Sequence, residues 1–204
     1  MDDKKLRRIG IMGGTFDPIH NGHLLAAMEA RAAFDLSEVI FVPTGQPPHK
    51  ANKKVTPAEE RYLMTEMATI NCPYFTVSRI EIDRPGNSYT IDTLKALKAM
   101  PRYKCVDFYF ITGLDAILDI LSWKSSEEIF EMCNFVAVSR HGYSQKRMDE
   151  FPSEKKDKIL PLEIPLLAIS STELRSRIRN NRSIRFMVPP EVEQYIIKKS
   201  LYKD

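Results

Sequence analysis

Short β-rich apolar stretches alternate with segments of helical periodicity along the whole chain. This alternation is typical of βαβ units, in which helices connect strands that lie parallel to one another. We predict strands over residues 9–12, 39–43, 75–80, 106–112, 135–139 and 158–160. We predict a helix over 23–34, and further helices that begin near Thr56, Thr90, Asp115, Ser125, Ser170 and Pro190. The pattern therefore indicates an α/β fold on an open, mostly parallel sheet.

Two helix starts carry a capping signal. Thr56–Glu59 and Ser170–Glu173 both match the capping-box pattern, and Pro57 is expected at the first position of its helix. Neither an internal repeat nor a Gly/Ser linker interrupts the chain. Its 204 residues suffice for one core, so we predict a single domain over 1–204, with 170–204 as a C-terminal helical part. The charged segment 143–157 is expected to be a surface excursion.

Charge and hydropathy exclude several classes of protein. The 30 Lys and Arg residues and 27 Asp and Glu residues give a net charge of only +3, which does not indicate a nucleic-acid-binding surface. The longest apolar runs, 106–111 and 164–169, are far shorter than the roughly 20 residues that span a bilayer. The charged Met1–Lys5 segment has no apolar stretch behind it, so we predict a cytoplasmic protein.

The three cysteines do not indicate a redox or metal site. Cys72, Cys105 and Cys133 are odd in number and lie far apart, outside any C-x-x-C spacing. This argues against a disulfide framework and a zinc ribbon. We expect buried or unreactive thiols.

Candidate functional residues are most concentrated in the segment Gly13–His23, with the sequence GGTFDPIHNGH, between the first strand and the first helix. A helix N-terminus at that position offers unpaired N–H groups to an anion, and paired glycines let a phosphate approach the backbone. His20 and His23, three residues apart, are expected to lie on one face, where both can hydrogen-bond phosphate oxygens. Gly22 between them would keep that face open.

Other interpretations of this motif are weaker. The two histidines could be a turn residue and a capping residue, although three of the four histidines of the chain lie between positions 20 and 49. A zinc site would need a third ligand, and none lies at a familiar spacing. The dinucleotide-binding pattern G-x-G-x-x-G and the P-loop pattern are both absent.

The motif resembles the signature of the HxGH nucleotidyltransferase superfamily, and its extended form resembles the bacterial nicotinate-nucleotide adenylyltransferase family. Further segments occur in the order and spacing of that family, so the resemblance covers essentially the whole chain. They are PTGQPPHK at 43–50, NSYTIDTL at 87–94, ITGLD at 111–115 with Trp123, and ISSTELR at 169–175. The resemblance implies a Rossmann-like sheet with helices on both faces.

The implied reaction is attack of the 5′-phosphate of nicotinate mononucleotide on the α-phosphorus of ATP, with release of pyrophosphate. The attacking phosphate is already a nucleophile, so alignment and charge stabilisation are needed and a general base is not. By resemblance, the catalytic residues are His20, His23 and Arg175. By resemblance, the ATP-binding residues are Gly13, Gly14, Thr15, Phe16, Gly113, Asp115, Arg140, Ser170, Ser171 and Thr172.

The resemblance also implies which residues bind the nicotinate mononucleotide. Trp123 would stack on the pyridine ring, Ser88, Tyr89 and Thr90 would receive the nicotinate carboxylate, and His49 and Lys50 would clamp the phosphate. The alternatives are a core tryptophan, an ordinary helix cap and a solvated loop lysine. The chain departs from the family at His141, where a proline is usual, and this loosens the expected position of Arg140.

Further expectations concern the metal, the oligomeric state and the alternative functions. Mg²⁺ would be bound mainly through the ATP phosphates, without a protein metal site, and the resemblance suggests a homodimer. The nearest alternative enzyme is phosphopantetheine adenylyltransferase, which shares the first motif. An alternative of another class is a catalytically silent nucleotide-binding regulator on the same fold.

Overall fold

A computed structural model of the chain describes residues 6–48, 54–140, 153–165 and 167–203, without the side chains of residues 115, 118, 140, 153 and 154. The strands are β1 (Arg7–Gly14), β2 (Glu38–Pro43), β3 (Phe75–Val77), β4 (Val106–Gly113), β5 (Cys133–Arg140) and β6 (Ile159–Ile164). The helices are α1 (Asn21–Phe34), α2 (Ala58–Thr69), α3 (Thr90–Ala99), α4 (Leu114–Asp119), α5 (Ser126–Met132), α6 (Ser153–Lys156), α7 (Ser171–Arg179) and α8 (Pro190–Lys199).

The strands form one sheet in the order β3-β2-β1-β4-β5-β6. Parallel pairing joins β1 to β4, β4 to β5 and β5 to β6, with Ile9 opposite Phe108 and Phe110 opposite Phe135. These strands are runs of apolar residues because a parallel sheet is covered on both faces. The predicted fold class, an open parallel α/β sheet of the Rossmann-like type, is confirmed.

Two strands end more than two residues away from their predicted ends. β3 ends at Val77 rather than at Ile80, because the next residues form a turn in which the Asp83 N–H donates to the Arg79 carbonyl at 2.9 Å. β6 is longer than predicted and runs through Pro161. A proline is tolerated there because β6 is an edge strand, where a missing N–H costs no ladder hydrogen bond.

One of the two predicted capping boxes is wrong. α2 begins one residue later than expected, Pro57 takes the N-cap position, and no side chain caps the helix. Thr56 is held differently, because its carbonyl accepts from Arg61 Nε at 2.8 Å. The cap at α7 is confirmed, since Ser170 Oγ accepts from the Glu173 N–H at 3.1 Å.

The chain divides into two compact groups of segments. The first takes residues 1–13, 26–40 and 89–166, and its described core includes Ile9, Phe108 and Phe135. The second takes residues 14–25, 41–88 and 167–204, and its described core includes Phe41 and Met64. The single domain over 1–204 stays a prediction. Most of segment 143–157 lies outside the described residues.

The cysteines are all free. Cys133 is buried, Cys72 is half-buried and Cys105 is exposed. Burial raises the pKa of Cys133 to about 12, so this thiol is unreactive at neutral pH. None of the described helices is long and apolar enough to cross a membrane.

Candidate active site

The two histidines of the first motif stack on each other at the start of α1. The helix begins at Asn21, two residues earlier than predicted, so His20 immediately precedes it and His23 lies in its first turn. The ring centroids are 3.7 Å apart and the ring planes are inclined by 26°. His20 is buried and His23 is half-buried. The prediction that both rings share one face is confirmed.

Backbone hydrogen bonds fix the proton of one ring. The His20 N–H donates to His23 Nδ1 at 3.2 Å, and the His23 N–H donates to the His20 carbonyl at 2.9 Å. Because Nδ1 of His23 is an acceptor, the neutral ring carries its proton on Nε2, which is a donor. Nδ1 of His20 is buried and has no hydrogen-bond partner among the described residues.

Both imidazoles are neutral at pH 7. Burial lowers the pKa of His20 from 6.5 to about 4. Burial also lowers the pKa of His23 well below 6.5, and the charge of a protonated His20 would lower it further. An anion bound beside them would favour the protonated forms, so the pair can shift from neutral donors toward cations when a polyphosphate approaches.

The segment before the histidines turns sharply. Phe16 has a positive φ of 47°, in the left-handed region that few side chains adopt. Its ring meets His23 edge-on, with centroids 5.1 Å apart and planes at 89°. Gly14 closes β1, and its carbonyl accepts from the Thr44 N–H at 2.9 Å. The Thr15 carbonyl accepts from Arg61 Nη1 at 2.7 Å.

The N-terminus of α7 contacts this segment directly. Ser171 Oγ donates to the Pro18 carbonyl at 2.9 Å. Arg175 donates from Nη1 to the Asp17 carbonyl at 2.7 Å and from Nη2 to Thr172 Oγ1 at 3.2 Å. A guanidinium has five N–H donors, so Arg175 keeps donors for a ligand. The structure therefore brings two of the sequence motifs, with two helix N-termini, to one place.

Sequence reasoning missed the residues that anchor the motif. The Tyr202 hydroxyl donates to Asp17 Oδ1 at 2.8 Å. Asn21 donates from Nδ2 to the Phe186 carbonyl at 2.7 Å and from its backbone to the Met187 carbonyl at 3.0 Å. Arg61, almost fully buried, lies on the same face of α2 as Met64. A charged residue at a core position of a helix was the one local signal that could have found Arg61.

Two of the predicted mononucleotide residues begin α3. Tyr89 is the N-cap residue and Thr90 the first helical residue, and no side chain caps this helix. The ordinary-cap alternative is therefore not observed there, since the Tyr89 side chain makes no cap hydrogen bond. Ser88 has a structural role, since its Oγ accepts from the Gly45 N–H at 3.1 Å and its own N–H donates to the Gln46 carbonyl at 2.9 Å.

The remaining predicted residues lie in the first group or outside the described residues. Trp123 is half-buried and meets Phe110 edge-on, with centroids 6.0 Å apart. Gly13 packs closely on the same phenyl ring. Gly113 ends β4 and precedes α4. His49, Lys50 and His141, and the side chains of Asp115 and Arg140, lie outside the described residues.

Comparisons with known proteins agree on one family. Residues 11–177 match the model of the cytidylyltransferase-like family. A protein of Acidothermus cellulolyticus, named "Probable nicotinate-nucleotide adenylyltransferase", is 54% identical over 96% of this chain and 94% of its own length. A protein of the same name from Thermoanaerobacter is 52% identical over 96% of this chain and 94% of its own length.

Solved structures show the same fold. The nicotinic acid mononucleotide adenylyltransferase of Plasmodium falciparum in complex with NaAD superposes with a TM-score of 0.74. It is 25% identical to this chain, and the match covers 96% of this chain and 97% of that one. The same enzyme in complex with APC gives a TM-score of 0.73, with the same coverage and 24% identity, and supports the fold alone.

Proposed function

The chain belongs to the nicotinate-nucleotide adenylyltransferases of the cytidylyltransferase-like family, and on that premise we propose how its residues transfer the adenylyl group of ATP to nicotinate mononucleotide. It is a nucleotidyltransferase of NAD biosynthesis. An oxygen of the mononucleotide 5′-phosphate forms a bond to the α-phosphorus. The bond from that phosphorus to the β-phosphate oxygen breaks, and pyrophosphate leaves with the electron pair.

One observation carries the role of the residues. The N-terminus of α7 is hydrogen-bonded directly to the Asp17–Pro18 backbone, which leads into the stacked His20 and His23 pair within the same compact group. This arrangement gathers imidazole N–H, helix N-terminal N–H and guanidinium donors. Such a donor set suits a triphosphate.

We assign charge stabilisation to the histidines. Negative charge builds on the α-phosphoryl and pyrophosphate oxygens during transfer, and fixed donors stabilise it most when they need no rearrangement. Nε2 of His23 is held as a donor by the hydrogen bond at its Nδ1. His20 is stacked against it and shares that orientation. The same pair would also become more cationic beside the phosphates, which adds to the stabilisation.

We assign the departing pyrophosphate to the start of α7. Ser170 caps the helix, Ser171 and Arg175 fix its orientation on the motif, and Thr172 holds Arg175. The remaining donors of Arg175 and the first N–H groups of α7 would bind the β- and γ-phosphates. The backbone of Gly13, Gly14 and Thr15, with Phe16, would border the ATP phosphates at the end of β1.

Mg²⁺ is proposed as a companion of ATP. The part of the chain that the structure describes contains no cluster of three or more His, Cys, Asp or Glu residues that could hold a metal. The described residues offer no such cage, and the ion would be held by phosphate oxygens and water.

The mononucleotide side is assigned to the start of α3 and to Trp123. The N-terminus of α3, where Tyr89 makes no side-chain cap hydrogen bond, carries the positive end of the helix dipole, which favours a carboxylate over a neutral carboxamide. Ser88 would hold the segment before α3 in place through its hydrogen bonds to Gly45 and Gln46. Stacking of Trp123 on the pyridine ring stays a prediction, as do the roles of His49, Lys50, Gly113, Asp115 and Arg140.

Homodimer formation and a cytoplasmic location also stay predictions.

The test is pyrophosphate release by the purified protein with ATP and Mg²⁺. Nicotinate mononucleotide, nicotinamide mononucleotide and phosphopantetheine are supplied separately. We expect turnover mainly with the nicotinate compound, and its loss in His20→Ala. Turnover with phosphopantetheine alone would overturn the substrate assignment, and ATP binding without turnover on any acceptor would identify a silent regulator.

A further inference from the structure

The most unusual buried group outside the phosphate-facing set is the guanidinium of Arg61 in α2. Arg61 is only 1% exposed and ranks among the largest fully buried side chains of the described residues. A buried charge is costly unless hydrogen bonds and nearby charges compensate it. Burial lowers the pKa of Arg61, while Asp17, Tyr202 and Glu81 act in the opposite direction.

Its donors go to three different backbone segments. Nη1 donates to the Thr15 carbonyl at 2.7 Å, Nη2 to the Gly45 carbonyl at 3.0 Å, and Nε to the Thr56 carbonyl at 2.8 Å. Thr15 follows β1, Gly45 follows β2, and Thr56 precedes α2. One rigid, planar group therefore holds the beginnings of two loops against the start of a helix.

Both loops lead to groups with a proposed role in substrate binding. Thr15 opens the segment that ends in the two stacked histidines. Gly45 donates its N–H to Ser88 Oγ at 3.1 Å, immediately before the start of α3. Gly45 also approaches Glu81 so closely that a β-carbon would lie 2.2 Å from the Glu81 carbonyl oxygen, so this loop has little freedom to shift.

We propose that Arg61 is a positioning residue for the transfer reaction, which sets the motif loop through Thr15 and the Gly45–Ser88 connection through Gly45. The proposal rests on the proposed function. In-line transfer requires the two substrates to be aligned with each other, and small misplacements of aligned groups cost rate rather than binding. Loss of the three planar hydrogen bonds of the Arg61 guanidinium should therefore lower kcat more than it raises the KM for ATP or for the mononucleotide.

Arg61→Lys is the deciding variant, because it keeps a buried cation but cannot reach three carbonyls in a planar fork. Arg61→Met leaves all three carbonyls without their donor, and we expect it to fold poorly. Met64→Ala is the matched control, since Met64 is fully buried one turn along α2 and contributes to packing without these hydrogen bonds. The rates of Arg61→Lys and Met64→Ala are measured at temperatures well below the unfolding midpoints of both variants.

We expect Arg61→Lys to lower kcat by about tenfold to a hundredfold, with KM for ATP and for the mononucleotide within about threefold of wild type. Met64→Ala should lose at least as much thermal stability and keep kcat within about twofold. An Arg61→Lys protein with wild-type kcat, or an equal loss of kcat in Met64→Ala, would overturn the proposal.

Hydrogen exchange separates this proposal from the proposed function, because it needs no turnover. Arg61→Lys should lose amide protection in peptides that cover residues 14–20 and 44–48, whereas Met64→Ala should not. Failure of the wild-type protein to turn over nicotinate mononucleotide would refute the proposed function. Unchanged protection in Arg61→Lys would refute the positioning role.

Discussion

His23 shows how a backbone contact decides the chemistry of a side chain. Its Nδ1 accepts from the His20 N–H, so a neutral ring presents Nε2–H as a donor. Burial keeps both imidazoles neutral at pH 7, with the pKa of His20 lowered to about 4. At the scale of the residue, the site is a set of preset donors whose charge rises only beside an anion.

This burial makes stability depend on pH. Between pH 6.5 and 4 the unfolded chain protonates its histidine while folded His20 stays neutral, so the free energy of unfolding falls as the pH drops. From pH 7.5 to pH 5 this linkage amounts to about 2 kcal/mol for His20. His20→Gln should lose that part of the pH dependence in urea unfolding at the two pH values. An unchanged difference between them would contradict the neutral, buried state of His20.

Gly22 should be required for the position of the His20 ring. A β-carbon on Gly22 would lie 3.0 Å from His20 Nδ1 and 3.1 Å from Cε1, and Nδ1 is the buried atom without a described partner. We expect Gly22→Ala to lower kcat about tenfold or more, because the ring must move away from its stacked position. The thermal midpoint should stay equal or rise slightly, since alanine favours a helix. Wild-type kcat would show that the ring position is not critical.

At the scale of the element, the start of α7 combines a cap with a proposed anion site, and substitutions at Ser170 separate the two roles. Ser170→Ala should lose about 1 kcal/mol of unfolding free energy with the cap. Ser170→Asp should keep the cap, and its negative charge should weaken ATP binding strongly. Ser170→Asn is the neutral control that keeps both. Unimpaired ATP binding by Ser170→Asp, measured by calorimetry, would exclude phosphates from this helix end.

Much at this scale was predictable from the sequence. Strong apolar runs placed β1, β2, β4 and β5 within two residues, and the Ser170 capping signal placed the start of α7 within one, because local pattern and tertiary packing agree there. The misses have local causes. Val77 ends β3 where the Arg79–Asp83 turn takes over, and Pro57 cannot supply the cap that the Thr56 pattern suggested.

At the scale of the whole molecule, contacts between distant segments hold the motif, and sequence patterns do not report them. The Tyr202–Asp17 hydrogen bond joins residues 185 positions apart, and the Arg175–Asp17 bond joins residues 158 apart. The family resemblance predicts Arg175 as a site residue but not the Asp17 carbonyl that orients it. A side chain that bonds across such distances leaves no periodic signal, so the contacts of Asp17 and Tyr202 required the structure.

Tyr202 should therefore matter for both stability and rate. Burial and the Asp17 carboxylate raise its pKa, so the hydroxyl stays protonated and donates. Tyr202→Phe leaves a buried carboxylate oxygen without that donor, which should cost about 1–3 kcal/mol of unfolding free energy. It should also lower kcat, because Asp17 supplies the carbonyl that holds Arg175.

The matched control is Tyr195→Phe. The Tyr195 hydroxyl, near the same end of the chain, donates to Glu60 Oε2 at 2.6 Å and not to a residue of the motif. Denaturant unfolding and steady-state rates are measured for both variants. Equal effects of the two substitutions on kcat would show that the end of the chain stabilises the fold without orienting the site.

The central claim, that the stacked histidines and Arg175 stabilise charge during adenylyl transfer, is tested most directly by a single-turnover measurement. Wild type, His20→Gln, His23→Gln and Arg175→Met are mixed with ATP radiolabelled at the α-phosphate and with nicotinate mononucleotide, and dinucleotide formation is timed. The account predicts a rate of transfer lowered by about 10²–10³-fold in each variant, with the Kd for ATP changed far less. Wild-type transfer rates in the two histidine variants would contradict it.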